Sequence, residues 1–235
     1  MGNYFLTGPK LRRLLFLAIV LILFPLVAIG TEEEVKLDKA HIDLTDLPSL
    51  QRGAKLFMNY CAGCHSLKYV RYNEMAKGTG IVDSSGKVLE AALKKNLIFS
   101  DAKSTDPILT SMHPEDGANW FGVIPPDLSL EARLRGANWL YTYLRSFYPD
   151  EKRPWGVNNH VFPDVAMPNV LLSLQKNTPK EEYDRMILDL VNFLVYVSEP
   201  HQQARQHLGV WVLMFLGIFF VFTWLLKREY WKDVH

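Results

Sequence analysis

A mostly α-helical domain with long irregular loops, followed by a single membrane-spanning helix near the C-terminus, is the fold class this 235-residue sequence predicts. Three observations predict it. Leu50, Ala54, Phe57 and Met58 share one stripe at helical spacing, and Met186, Ile187, Leu190, Val191, Phe193, Leu194 and Val197 form a longer apolar face. Residues 98–124, rich in Asp, Ser, Pro and Gly, show neither helical nor strand periodicity. Leu208–Leu226 runs for 19 residues without a charge, about the length a helix needs to cross the hydrocarbon core.

The ends set the topology. Residues 14–29 are apolar behind Lys10, Arg12 and Arg13, and Ala28-Ile29-Gly30 puts small residues where a signal peptidase reads, so residues 1–30 are expected to be a secretory signal. An uncleaved N-terminal anchor is the alternative. The start lacks the Ser- and Arg-rich amphipathic character of a mitochondrial presequence, which points to a bacterial inner membrane. Trp211 and Trp224 sit near the ends of the second apolar run, and Lys227 and Arg228 follow it, so the positive-inside rule places the C-terminus in the cytoplasm. The expected layout is an exported domain over 31–205, an anchor over 206–227 and a cytoplasmic tail over 228–235. Residues 31–205 hold 20 Lys and Arg against 23 Asp and Glu, which argues against nucleic acid and mildly favours a basic partner.

Within the exported part stands Cys61-Ala62-Gly63-Cys64-His65. Cys-x-x-Cys-His is the attachment pattern of a c-type haem. The two thiols, Cys61 and Cys64, add across the haem vinyl groups, and the adjacent imidazole of His65 becomes an axial ligand to the iron. Zinc would need a second ligand pair at similar spacing, and the chain has no third cysteine. A redox dithiol would need a thioredoxin-like context that the flanks lack.

The order of elements follows from the same rules. Ser49 is expected to cap the helix that delivers Tyr60 and Cys61. Tyr69–Asn73 is expected to continue as a short helix, and residues 87–97 as another. Pro125-Pro126-Asp127-Leu128-Ser129 opens a helix whose apolar spacing runs through Leu134, Leu140 and Leu144. Arg133 and Arg135 follow closely, and for at least one of them a role in binding a haem propionate is expected, since a guanidinium can hold a carboxylate with two hydrogen bonds. Thr178-Pro179-Lys180-Glu181 reads as a capping box that starts the last helix of the domain, which stops at Glu199-Pro200. That helix is expected to pack across the haem-attachment helix.

A low-spin electron-transfer haem needs a second axial ligand. Met167, between Pro163 and Pro168, is the best candidate, because proline fixes an extended backbone that can present a side chain without helix packing. His160 is the runner-up. Met112 and His113 are read as loop residues, His41, His201 and His207 as surface or interfacial ones, and Met58, Met75, Met186 and Met214 as packing or membrane positions.

Taken together these residues resemble the cytochrome c1 family, the haem-bearing subunit of quinol:cytochrome c reductase, the cytochrome bc1 complex. The likeness rests on Cys61–Leu67 with Tyr69 and Arg71, Pro125–Ser129, Arg133-x-Arg135, Trp139–Leu144, Phe162–Pro168, Ser198-Glu199-Pro200 and the terminal anchor. It implies a class I-like cytochrome c domain with one covalent haem c and His65 and Met167 as axial ligands. It implies also that Pro126 and Arg135 line the haem pocket. The implied partners are cytochrome b, the Rieske iron-sulfur protein as electron donor, a soluble or membrane-bound cytochrome c as acceptor, and membrane lipid, within a dimeric complex. The chain itself would make or break no substrate bond. Two other readings stay open: a stand-alone membrane-anchored cytochrome c feeding a terminal oxidase or peroxidase, and a haem-based sensor with an open sixth position.

Overall fold

The computed structural model describes residues 35–233. The signal expected over residues 1–30 lies outside the described residues. Nine helices and two small antiparallel sheets are found among those described.

Helix α1, Leu47–Tyr60, begins at Asp46, whose carboxylate accepts the Ser49 amide at 3.0 Å, and has proline in its first turn. The expected cap at Ser49 is therefore three residues late. Ser49 is instead buried and donates its hydroxyl to Asp189 at 2.7 Å. Leu50, Ala54 and Phe57, at spacings of four and three, are fully buried.

After Cys61-x-x-Cys-His the chain forms strand β1, Leu67–Arg71, where a helix was expected. It pairs with strand β2, Pro107–Ile108, opposite Leu67. The partner is supplied by a segment some 40 residues away, which local periodicity cannot reveal. Helix α2, Tyr72–Gly78, then follows, and helix α3 covers Glu90–Asn96 inside the predicted 87–97. The stretch 98–124 is not wholly irregular. Helix α4, Pro114–Phe121, starts on a proline and ends at Gly122 with φ +74°.

The single helix expected to run past Leu134 to Leu144 is two, α5 (Glu131–Arg135) and α6 (Ala137–Arg145). Gly136 separates them at φ +90°, a backbone setting that glycine adopts without strain. Strands β3, Phe147–Pro149, and β4, Val157–Asn159, pair as a hairpin. Helix α7, Leu172–Asn177, precedes α8, Lys180–Ser198. Thr178 does not cap α8. As the residue before a proline it is extended (ψ 139°), Pro179 is extended too, and the helix starts at Lys180 with Glu181 and Glu182 in its first turn.

The predicted crossing of α8 over α1 is present and close. A Cβ on Gly53 would lie 2.1 Å from the Asp189 carbonyl oxygen and 2.6 Å from the Phe193 Cβ, so only glycine permits this approach. Phe57 and Phe193 meet at 5.9 Å between ring centroids. Buried among these apolar groups, Asp189 also receives Arg52 through Nε at 2.6 Å and Nη2 at 3.0 Å. Helix α9, Gln202–Tyr230, contains the predicted anchor; its apolar side chains are all exposed, as suits lipid rather than a protein core.

Candidate functional site

The last hydrogen bonds of α1 carry directly into the motif. Cys61 and Ala62 both donate their amides to the Phe57 carbonyl, at 2.8 and 2.9 Å, and Cys64 and His65 donate theirs to Cys61, at 3.0 and 2.9 Å. Cys61 through His65 is thus one hydrogen-bonded turn directly after α1. Cys61 is buried and Cys64 half-buried, both as free thiols. Burial, with the neighbouring Cys64 adding to it, pushes the Cys61 thiol up to about 12, and burial raises Cys64 as well.

The Pro-Pro-Asp-Leu-Ser segment does not open a helix; it runs beside the motif. Leu128 donates its amide to the Ser66 carbonyl at 2.9 Å, Lys68 to the Asp127 carboxylate at 3.0 Å, and Tyr69 to the Ser129 hydroxyl at 3.3 Å. At its head the Pro126 carbonyl stands 2.7 Å from His65 Nδ1. A carbonyl oxygen can only accept, so Nδ1 carries the proton and Nε2 is left with a lone pair for a metal. Burial, the leading cause, pulls the imidazole below its ordinary value against the opposing Pro126 hydrogen bond and the charges of Glu131 and Asp127, which favours the neutral ring a metal needs.

Met167 lies on a loop that its own amides make stiff. Asn158 Oδ1 accepts the Asp164 amide at 2.9 Å, and Asn159 Oδ1 accepts those of Val161 and Phe162 at 2.9 and 3.2 Å. Asp164 sits at φ +62°. Arg153, which the sequence did not single out, clamps this turn: it donates to the Asp164 carboxylate at 3.0 Å, the Asp164 carbonyl at 2.6 Å and the Val165 carbonyl at 3.3 Å. Its buried Nε has no hydrogen-bond partner among the described residues. Met167 is half-buried against the core, and its Sδ accepts a hydrogen bond from the Tyr143 hydroxyl at 3.4 Å.

The other candidates are scattered. His160 is exposed and stacks on Tyr148 at 4.3 Å. Met58 and Met75 are core residues. Arg135 lies over Trp139 and Phe162, at 5.0 and 5.5 Å from their ring centroids. Arg133 is engaged elsewhere, with Glu199 at 3.1 Å, and Glu199 also holds Arg205 at 2.5 Å across the α8–α9 joint.

A haem fits these residues. His65 offers a single oriented Nε2, two thiols are unpaired, and no cluster of three or more His, Cys, Asp or Glu side chains among the described residues competes as a metal site. Leu130 just before α5, Leu134 on it and Phe162 on the Met167 loop are large apolar side chains left 49%, 72% and 43% exposed, the surface an apolar macrocycle would cover.

Residues 39–234 match the family model described as the cytochrome C1 family. The chain belongs to the cytochrome c1 family. It is 47% identical to cytochrome c1 of Allochromatium vinosum over 95% of this chain and 100% of that one. It is 43% identical to a protein of Nitrosomonas europaea named ammonia monooxygenase gamma subunit, over 96% of this chain and 100% of that one. A Bradyrhizobium diazoefficiens protein named cytochrome b/c1 is 28% identical over 81% of this chain and 34% of its own length. As a cytochrome c1 the chain carries a covalently attached haem c and is the haem subunit of the cytochrome bc1 complex, alongside cytochrome b.

Proposed function

We propose that Cys61 and Cys64 hold the haem covalently, that His65 and Met167 ligate its iron, and that the chain passes single electrons from the Rieske iron-sulfur protein to a cytochrome c. The observation that carries this is the 2.7 Å contact from His65 Nδ1 to the Pro126 carbonyl, which orients the ring and leaves Nε2 for iron. The haem supplies the ferric–ferrous couple. The chain's residues do the rest: Pro126 fixes the imidazole, Arg153 and the two asparagines hold the Met167 loop, and the exposed apolar groups at α5 exclude water. Arg135, lying on Trp139 and Phe162 with its Nε 3.8 Å from the Glu131 carboxylate, is the donor offered to a propionate. Arg133, the other candidate, is paired with Glu199 at 3.1 Å.

The topology completes the reading: a cleaved signal over 1–30, a haem domain over 31–205 on the periplasmic face of a bacterial inner membrane, the anchor over 206–227, and a cytoplasmic tail, in a dimeric complex. The α9 helix and the bc1 relatives support it. The fused Bradyrhizobium protein, by its name, joins cytochrome b and c1 functions in one chain, which favours cytochrome b as the direct neighbour here. The name of the Nitrosomonas relative favours a second reading, a haem subunit that serves an ammonia-oxidising enzyme.

Met167→Ala tests the ligand assignment. It should abolish the thioether-to-iron charge-transfer band and lower the reduction potential; an unchanged band would mean that another residue ligates. In parallel, Cys61→Ser should lose covalent haem on a denaturing gel stained for haem peroxidase activity. Purification of the tagged chain should bring cytochrome b and a Rieske protein with it, and monooxygenase subunits in their place would support the second reading.

A further inference from the structure

We propose that Tyr143 raises the reduction potential of the haem by donating its hydroxyl hydrogen bond to the thioether of Met167; the inference rests on Met167 being the axial ligand. The geometry is specific. Tyr143 is 9% exposed and stands on α6 with its hydroxyl 3.4 Å from Met167 Sδ. Its ring cannot swing away, because Trp139, one turn earlier, stacks on it at 4.9 Å and an interplanar angle of 10°, and Phe147 meets it edge-on at 5.3 Å. Trp139 is itself covered by the Arg135 guanidinium at 5.0 Å.

A thioether sulfur has two lone pairs, so one can bind iron while the other accepts a proton donor. Donation to the second draws electron density from sulfur and makes it a weaker ligand to ferric iron, which favours the ferrous state. A tyrosine phenol is protonated at neutral pH, so the donor is present there. Tyr143 does not touch the iron on this reading. It is a positioning residue that acts through Met167.

The test is a redox titration of the haem in the purified complex, with wild type, Tyr143→Phe and a chain carrying 3-fluorotyrosine at position 143, whose more acidic phenol is a stronger donor. At a fixed ambient potential the ferrous-to-ferric ratio should fall about threefold in Tyr143→Phe, the scale of one neutral hydrogen bond, and rise in the fluorinated chain. The charge-transfer band should persist in both. An unchanged ratio in both proteins overturns the proposal, and loss of the band in Tyr143→Phe overturns it in favour of a purely packing role. If Tyr143→Phe fails to assemble, the fluorinated chain decides alone, because it preserves the hydroxyl and the ring packing. A band that survives in Met167→Ala would instead sink the ligand assignment on which the proposal stands.

Discussion

His65 has two ring nitrogens, and the Pro126 oxygen 2.7 Å from one of them decides which keeps the proton. The Met167 loop is settled by a single residue in the same way. Asp164 holds a left-handed backbone at φ +62°, and the Arg153 guanidinium, with bonds to two carbonyls and one carboxylate around it, keeps the turn in place. Arg153→Ala should therefore loosen the loop by about 1.5–3 kcal/mol, the scale of hydrogen bonds to a charged group. With Met167 as the ligand we propose, the expected readout is a weakened charge-transfer band and new carbon monoxide binding to the ferrous protein. Full resistance to carbon monoxide would show that the two asparagines hold the loop without the arginine. The sequence contained Arg153 but nothing local to mark it, because its partners lie 11 and 12 residues on, around a turn whose path only the folded chain defines.

At the scale of elements, α6 ties the chain around Asp38, ahead of α1, to α8. The Asp38 amide donates to the Thr142 hydroxyl at 2.8 Å, and Arg145 reaches Asp38 at 2.9 Å and Asp184 at 2.6 Å, while Lys180 adds to Asp184 at 2.8 Å. Burial alone would raise the Asp184 carboxyl, but the hydrogen bonds from Lys180 and Arg145 outweigh it and hold it below its ordinary value. A carboxyl so held stabilises the fold above its unfolded-state pKa, and that contribution is lost as pH falls through the folded-state value. Asp184→Asn should be less stable than wild type by ~1 kcal/mol at neutral pH, a difference that closes in acid. Denaturant unfolding across that range checks it, and a gap that widened on acidification would contradict the assignment. Amphipathic stripes made α1 and α8 legible in the sequence, since packing and periodicity agree there. Strand β1 and the break at Gly136 were not, because a distant partner strand and a backbone angle set them.

For the whole molecule, the haem domain and α9 are built on different solvents. The core that joins α1, α6 and α8 is buried, whereas α9 exposes its apolar side chains along its length. The Arg133–Glu199–Arg205 cluster marks the joint between the two. Truncation before Leu208 keeps that cluster and removes only the apolar run, so the shortened chain should appear in the soluble fraction with its haem unless other subunits retain it. A truncated chain that stayed in membranes stripped of the remaining subunits would place a second anchor in residues 1–30. What the sequence determined by itself was everything carried by spacing or run length: the thiol pair with its histidine, the two amphipathic helices, the membrane helix, and a methionine framed by prolines. Tertiary structure alone decided which nitrogen of His65 is free, which hydroxyl meets Met167, which arginine clamps the Met167 loop, and that Arg133 meets Glu199. Each of these depends on contacts between segments remote along the chain, and periodicity records only what neighbours within a turn or a strand do to one another.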